Sequence, residues 1–420
     1  MSNGDIVHAQ PKSDAILYSV LHFNKNVAFQ EVLNHSQTYR CQIIYTQINR
    51  KKNNVPTFKN YYFNYDPLLY FNPASTVKMP LAFLSLEKLH SMAQKGLQKN
   101  TPLQVDSSYP WQKPALSDTT SPNGFPSIEH YIKKAFLVSD NDAYNRMYQF
   151  LGQQYINRRL HNKGYKDVKI TRQFMGFTLE QNRHTNQLRF IKEDGSLVYT
   201  QAPVYNTDSF DFNHVIKIGK GYLNNNDSLV NEPIDFTMHN NFSLYDLQQM
   251  LQSVLFPSSV SKKQRFNINN EDRNFLLQYL SQFPSETNYP KYDTSKYFDT
   301  YVKFFFRDSS HKMPVNVRVF NKVGWAYGFM TDVSYIADFA NDVEFMLSAT
   351  IYVNSDEILN DNKYDYDSKG YPFLYALGQT LYQFELSRKR TFKPDLSAFK
   401  LQYEERNKSD TRAMISEVDN

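Results

Sequence analysis

The sequence is poor in cysteine and glycine and has no long apolar run. Cys41 is the only cysteine among 420 residues, so the chain can form neither an internal disulfide nor a cysteine-based zinc site. Its 13 glycines are too few for collagen-like, linker-rich or glycine-loop architectures. No apolar stretch reaches the roughly 20 residues that a membrane-spanning helix needs. Cys41 lies in an alternating pattern typical of a strand, where we expect a buried, inert thiol.

The charge also lacks a strong bias. The formal net charge is +5, and the short basic runs lie near acidic residues, so we interpret them as solvated surface rather than a nucleic-acid interface. With 41% hydrophobic and 21% charged residues, the chain has the composition of a folded protein. The first residues lack the basic and apolar regions of a secretory signal. We expect a cytoplasmic protein if the start is native, and a periplasmic or secreted one if a signal has been removed.

The predicted elements follow the order strands, helices, strands, helix. Strand patterns cover residues 38–48, 58–64, 315–321, 331–339 and 343–354. Helical patterns cover residues 75–90, 128–138, 142–151, 242–256, 271–283 and 373–387. This order predicts an α/β (α+β) fold, in which both chain ends build an antiparallel sheet flanked by terminal helices and an all-helical subdomain is inserted between them.

One catalytic domain is predicted, with a polar segment before it and a mobile tail after it. The expected divisions are a lead-in at 1–14, an α/β part at about 15–74 and 315–400, a helical part at about 75–314 with a polar excursion at 187–240, and a tail at 401–420.

Ser75 and Lys78 are three residues apart, so on a helix they share one face. A serine is a weak nucleophile until a base takes its proton, and a desolvated lysine can be that base. The spacing alone is weak, because four other Ser-x-x-Lys matches occur, among them Ser85–Lys88. Ser75 differs from them because it opens an apolar, buried helix, whose N-terminal N–H groups can stabilise an oxyanion.

Two further motifs follow in the chain. Ser139, Asp140 and Asn141 fall between two predicted helices, where a short loop could point them into a cleft; alone, the tripeptide is better explained as a helix N-cap. Lys322-Val-Gly324 ends a predicted strand, where the lysine could hold a carboxylate, although a lone lysine is more often solvated. Lys217-Ile-Gly has the same spacing but no strand pair after it.

Taken together, Ser-x-x-Lys, Ser-Asp-Asn and Lys-x-Gly in this order resemble the signature of class A β-lactamases and penicillin-binding proteins. The resemblance covers roughly residues 30–400, with interruptions at 187–240 and near 285–314. It implies that Ser75 is acylated and that Lys78 is the base or orients the group that is. It also implies that Ser139 passes a proton to the leaving nitrogen.

The same resemblance implies roles in substrate binding. Asn141 would bind the substrate's side-chain amide, and Lys322 would hold its carboxylate and help to keep the amine of the Ser-x-x-Lys motif neutral. The oxyanion hole would use the backbone N–H groups of Ser75 and of Trp325, which follows Gly324. The implied substrate is a small β-lactam or a peptidoglycan-like amide or ester. No metal, cofactor or nucleic acid is implied, and we expect a monomer.

Two departures from the family pattern stand out. Val323 occupies a position where the family usually has threonine or serine, so a hydroxyl that grips the carboxylate is missing. The glutamate that activates water for deacylation is not obvious, and Glu180 is the best candidate, with a surface glutamate as the alternative. Three functions therefore remain open. The first is a β-lactam hydrolase, the second is a D-alanyl peptidase or esterase that β-lactams inhibit, and the least favoured is a non-catalytic binding protein.

Overall fold

A five-stranded antiparallel sheet organises the chain, which the computed structural model describes over residues 12–418. The strands are β1 Gln42–Arg50, β2 Pro56–Phe63, β3 Leu103–Val105, β4 Leu188–Ile191, β5 Leu197–Gln201, β6 Lys217–Ile218, β7 Gly221–Leu223, β8 Leu229–Val230, β9 Ile234–Asp235, β10 Val317–Ala326, β11 Phe329–Asp338, β12 Val343–Tyr352 and β13 Ile358–Leu359. The order in the central sheet is β10-β11-β12-β1-β2, so strands from both chain ends pair through β12 and β1.

Helices cover both faces of this sheet. They are α1 Ala15–Phe23, α2 Val27–Asn34, α3 Lys78–Ser91, α4 Ile128–Leu137, α5 Asn141–Leu151, α6 Gln153–Asn162, α7 Leu244–Leu255, α8 Asn270–Ser281 and α9 Tyr371–Ser387. The terminal helices α1, α2 and α9 share one apolar core with one face of the sheet, and the inserted helices share a second core with the other. Every residue of β11 and β12 is buried, as expected for strands covered on both faces.

This architecture confirms the predicted fold class. The part between β2 and β10 carries the helices α3 to α8, and α3 is buried around almost its whole circumference, as its apolar pattern predicted. The insertion is not purely helical, because it also contains β3 to β9 in small sheets, most of them in the excursion at 187–240. Those strands are two to five residues long, too short to leave a clear alternating pattern in the sequence.

Several boundaries differ from the predictions. The helices α1 and α2 were not predicted, and β10 extends to Ala326, so that Lys322, Gly324 and Trp325 lie within a strand rather than after one. Ser75 lies in a 3-10 turn, Ala74–Val77, and the α-helix proper begins at Lys78.

The segment after residue 400 packs onto the body of the protein, which the prediction of a mobile tail did not anticipate. Tyr403 is within hydrogen-bond distance of Ser281, at 2.8 Å between the hydroxyl oxygens. The Arg406 guanidinium donates to three backbone carbonyls, including that of Tyr292 at 2.9 Å. Although this segment is polar, these side chains bind it to residues 281–292. Residues 1–11 of the predicted lead-in and the last two residues lie outside the described part.

Candidate active site

The turn Ala74–Val77 precedes α3 and is held by its own side chains. We call it the nucleophile turn, after the role that the sequence predicts for Ser75. Thr76 donates its hydroxyl to the carbonyl of Pro73 at 2.6 Å, and the Ala74 amide donates to the side chain of Asn72 at 2.9 Å. Ala74 has a φ of 44°, in the left-handed region that a non-glycine residue rarely adopts. Such backbone strain costs on the order of 1–3 kcal/mol and persists only where surrounding contacts enforce it. The turn therefore holds Ser75 in a defined position at the start of the helix.

Lys78 is buried and its amine points at Ser75. The Nζ atom donates to Ser75 Oγ at 2.8 Å and to Asn141 Oδ1 at 2.7 Å. It also bonds to the Ser139 carbonyl and lies 3.3 Å from Ser139 Oγ. Burial lowers the pKa of Lys78 to about 7, while the charge of Asp140 opposes the shift. Near neutral pH, a substantial fraction of the amine is therefore unprotonated and able to accept a proton.

The Ser139 loop combines the two alternatives that the sequence left open. Asp140 is the N-cap of α5 and accepts from the Ala143 amide at 2.8 Å, as an ordinary cap does. Ser139 has a φ of 67°, and both its carbonyl and its hydroxyl face Lys78. The cap fixes the loop while its neighbours face the nucleophile.

Lys322 joins the same network from the sheet. Its Nζ donates to Ser139 Oγ at 2.9 Å and to the carbonyl of Val323 at 2.8 Å. Burial and the nearby charge of Lys78 hold the pKa of Lys322 well below its usual range. The structure thus connects Ser75, Lys78, Ser139 and Lys322 by a continuous chain of hydrogen bonds.

Gly324 lets the edge strand β10 approach the nucleophile turn. A Cβ atom at this position would lie 2.6 Å from the Pro73 carbonyl oxygen and 2.8 Å from the Ser75 amide nitrogen. On the same strand, the Val317 amide donates to the Pro314 carbonyl, and the Val323 carbonyl accepts from Lys322 Nζ. Both of these backbone groups therefore point away from β11. Because strand groups alternate in direction, the Trp325 N–H also points to this free edge. The Ser75 and Trp325 amides therefore border the same space, as an oxyanion hole requires.

Ser75, Asn141 and Trp325 border a cleft with a volume of about 690 Å³. Six of its lining residues are Ser75, Asn141, Arg172, Gln173, His239 and Trp325. Among residues 12–418, no aspartate or glutamate lines the cleft. Its polar groups are amides, hydroxyls, an imidazole and a guanidinium.

Glu180 is not brought to this cleft. Its side chain is 65% exposed, and its carboxylate lies 3.5 Å from the His184 ring nitrogen and 3.9 Å from Arg183. The prediction that Glu180 activates water does not fit this placement, because the carboxylate faces its own loop.

Val323 does not face the substrate side either. Its side chain is fully buried in the core that includes Val319 and Met330, while Lys322, one residue earlier, faces the catalytic network. The alternation of side chains along a strand explains the difference. A hydroxyl at Val323 would enter an apolar core, so its absence does not by itself weaken a carboxylate site.

The competing motifs have other surroundings. Lys88 bonds to the Phe150 carbonyl and to Gln201, whereas the Ser85 hydroxyl is buried without a hydrogen-bond partner in the described part of the chain. Lys217 is exposed on β6. Neither Ser85 nor Lys217 lines the cleft.

Several cleft residues were not identified from the sequence. Arg172, Gln173 and Phe174 come from the connection between α6 and β4, and His239 and Asn240 come from the end of the excursion. Loop residues carry no periodic signal, and these positions become neighbours only through the fold. These two segments meet through the Asn240 side chain, which accepts from the Thr171 and Arg172 amides at 2.8 and 3.1 Å.

Neither a metal cluster nor a membrane-spanning helix is found in the described part. Residues 12–418 contain no group of three or more His, Cys, Asp or Glu side chains placed to hold a metal ion. Within the same residues, no helix has the length and apolar character needed to cross a bilayer.

Comparison with solved structures returns β-lactamases at low identity. The chromosome-encoded β-lactamase of Vibrio parahaemolyticus is 13% identical with a TM-score of 0.47, over 86% of this chain and 100% of the other. A β-lactamase from Desulfarculus baarsii is 13% identical with a TM-score of 0.48, over 89% and 98%. One from Burkholderia vietnamiensis is 11% identical with a TM-score of 0.48, over 88% and 100%. The comparison with curated protein sequences gave no match.

The family model described as the β-lactamase enzyme family matches residues 26–198. The matched segment contains Lys78 and the three residues within hydrogen-bond distance of its amine, Ser75, Ser139 and Asn141. On the match and this arrangement of motifs, residues 26–198 resemble the β-lactamase enzyme family, and they make up less than half of the chain.

Proposed function

We propose that this protein is an acyl-transfer hydrolase that forms a covalent ester on Ser75 with β-lactams or related amides and esters. The observation that carries the proposal is the 2.8 Å contact between Lys78 Nζ and Ser75 Oγ, together with a lysine pKa of about 7. A neutral amine at that distance can take the serine proton as the oxygen attacks a carbonyl carbon.

The other residues have roles that follow from their positions. The developing oxyanion would accept from the Ser75 and Trp325 amides. Ser139, bonded to both lysine amines, would relay the proton to the leaving nitrogen. Asn141 uses Oδ1 toward Lys78, which leaves its Nδ2 group for a substrate carbonyl.

The composition of the cleft bears on the fate of the ester. Efficient hydrolysis of an acyl-enzyme needs a base to activate water, and no carboxylate among the described residues lines the cleft. We therefore favour an enzyme of the D-alanyl peptidase or esterase kind, on which β-lactam adducts persist. Rapid β-lactam hydrolysis is the second candidate, favoured by the family match.

Turnover of a chromogenic cephalosporin and intact-protein mass spectrometry separate the candidates. A stable adduct of one β-lactam per protein, with little turnover, supports the D-alanyl peptidase or esterase. Fast turnover without a lasting adduct supports the β-lactamase. Ser75→Ala should abolish labelling by a fluorescent penicillin. Ser85→Ala is the matched control, because that serine has the same Ser-x-x-Lys spacing and should not alter labelling. Labelling that survives in Ser75→Ala, or absence of acylation in the unmodified protein, would refute the proposal.

A further inference from the structure

Phe174 is a half-buried aromatic residue in the wall of the cleft, beside the Lys78 amine. The Lys78 Nζ atom lies over the face of its ring, 5.4 Å from the ring centroid. Lys78 is fully buried and does not line the cleft, whereas Phe174 does. The ring therefore forms part of the wall between the amine and the cleft.

Helix α5 holds this ring in place. The ring stacks on Tyr144, with the two centroids 4.2 Å apart and 23° between the ring planes. The backbone amide of Phe174 donates to Asn145 Oδ1 at 2.8 Å. Tyr144 and Asn145 follow Asn141 by one helical turn, so the three side chains share one face of α5. The face that directs Asn141 toward Lys78 therefore also fixes Phe174.

The ester that we propose on Ser75 is released when water attacks it. Hydrolysis joins the water oxygen to the ester carbonyl carbon and breaks the bond from that carbon to Ser75 Oγ. A base takes one proton from the water, and Ser75 Oγ gains one. Since no carboxylate lines the cleft within residues 12–418, the base beside the ester is the Lys78 amine, whose Nζ lies 2.8 Å from Ser75 Oγ.

The space between this amine and the Phe174 ring is too narrow for that water. A water needs about 2.9 Å to its hydrogen-bond partner and about 3.5 Å to the ring carbons, about 6.4 Å in all. The amine and the ring centroid are only 5.4 Å apart. An apolar ring also offers a water no hydrogen bond, whereas an ordered water needs two or more polar partners.

We propose that Phe174 prolongs the lifetime of the ester on Ser75 by excluding water from the Lys78 amine. The inference rests on the proposed function of the same site and names the side chain that makes the adduct last. Phe174 acts by occupying space, so its role depends on the size and apolar character of its side chain.

The lifetime is measured by intact-protein mass spectrometry, after the full-length protein has been acylated with benzylpenicillin and the excess removed. Phe174→Ala opens space beside the amine, so the adduct should be released at least tenfold faster than from the unmodified protein. Phe174→Leu keeps an apolar side chain and should stay within threefold of the unmodified protein. Phe298→Ala is the matched control, because that half-buried ring stacks on His311 with the centroids 3.7 Å apart and does not line the cleft. Its loss should leave the lifetime unchanged.

Two further measurements test the exclusion by other means. Reductive methylation of Lys78 with formaldehyde and cyanoborohydride, mapped by peptide mass spectrometry, reports access to the amine when no ester is present. It should be at least tenfold faster in Phe174→Ala. Hydroxylamine attacks esters without a base and tests the unmodified protein alone. It should release the adduct from folded protein at least tenfold more slowly than from the same protein unfolded in urea.

Equal release by hydroxylamine from folded and unfolded protein, or unchanged methylation of Lys78 in Phe174→Ala, would overturn the inference. Acylation with the same lifetime in Phe174→Ala and the unmodified protein refutes only the role of Phe174. Faster methylation of Lys78 in a protein that β-lactams do not acylate supports the exclusion and refutes only the proposed function.

Discussion

Gly324→Ala tests whether the close approach of β10 to the nucleophile turn is needed for catalysis. The added Cβ would lie 2.6, 2.8 and 2.9 Å from Pro73 O, Ser75 N and Thr76 N, whereas ordinary contact begins at 3.4 Å. The shortfalls are therefore 0.8, 0.6 and 0.5 Å. All three atoms belong to the backbone, so no flexible side chain can yield, and the turn and the strand must move apart.

The size of the expected losses in stability and acylation follows from that displacement. Overpacking of this kind costs about 1–3 kcal/mol of the free energy of unfolding. A displacement of about 1 Å between reacting groups can cost roughly a hundredfold in rate. For the smaller displacement required here, we expect acylation by a fluorescent penicillin to fall about tenfold to a hundredfold. The assay is the second-order rate of labelling, with stability measured by urea denaturation.

Gly378→Ala is the matched control, because its Cβ would lie 2.6 Å from Phe305 Cβ and closer still to the Phe305 carbonyl oxygen. This glycine lies on α9, which packs on the opposite face of the sheet from the inserted helices. Both variants should lose stability, and only Gly324→Ala should lose acylation. Equal rates of acylation in the two variants would refute the argument that β10 positions the nucleophile turn.

Three further predictions concern the charge and polarity of the site. Burial lowers the pKa of Lys78 to about 7, and the base must be unprotonated, so the rate of acylation should rise with pH through about 7 and then level off. Asp140→Asn removes the charge that raises this pKa and should move the rise to lower pH. A stopped-flow pH profile of acylation measures both effects. A rise that does not move would show that another group titrates. Val323→Thr should lower the free energy of unfolding by about 1–3 kcal/mol without improving acylation by penicillins, because the hydroxyl enters an apolar core. Improved acylation would contradict the burial of this side chain. Glu180→Gln should change the rates of acylation and deacylation by no more than twofold, since the carboxylate is exposed and faces His184. Accumulation of the adduct in this variant would show that Glu180 reaches the ester.

The chemistry-bearing motifs and the fold class could be predicted from the sequence because they are local patterns. The apolar circumference of α3 marked the buried helix behind Ser75, and the order of strands and helices gave a sheet built from both chain ends. The second motif could also be recognised in the sequence, since Ser139, Asp140 and Asn141 lie between two amphipathic helices. Each of these signals depends on residues within a few turns of one another.

Tertiary structure alone decided which side chains enter the cleft. Val323 faces the core because β10 continues through Lys322 to Ala326. The predicted strand was shorter and did not include these residues. Glu180 follows the second motif in the chain, but its loop directs the carboxylate toward His184. Arg172 and His239, 67 residues apart, meet through loop contacts that leave no periodic pattern. The sequence therefore singled out Ser75 and Lys78 as the candidate nucleophile and base, whereas long-range packing determined the charge of the cleft that Ser75 lines.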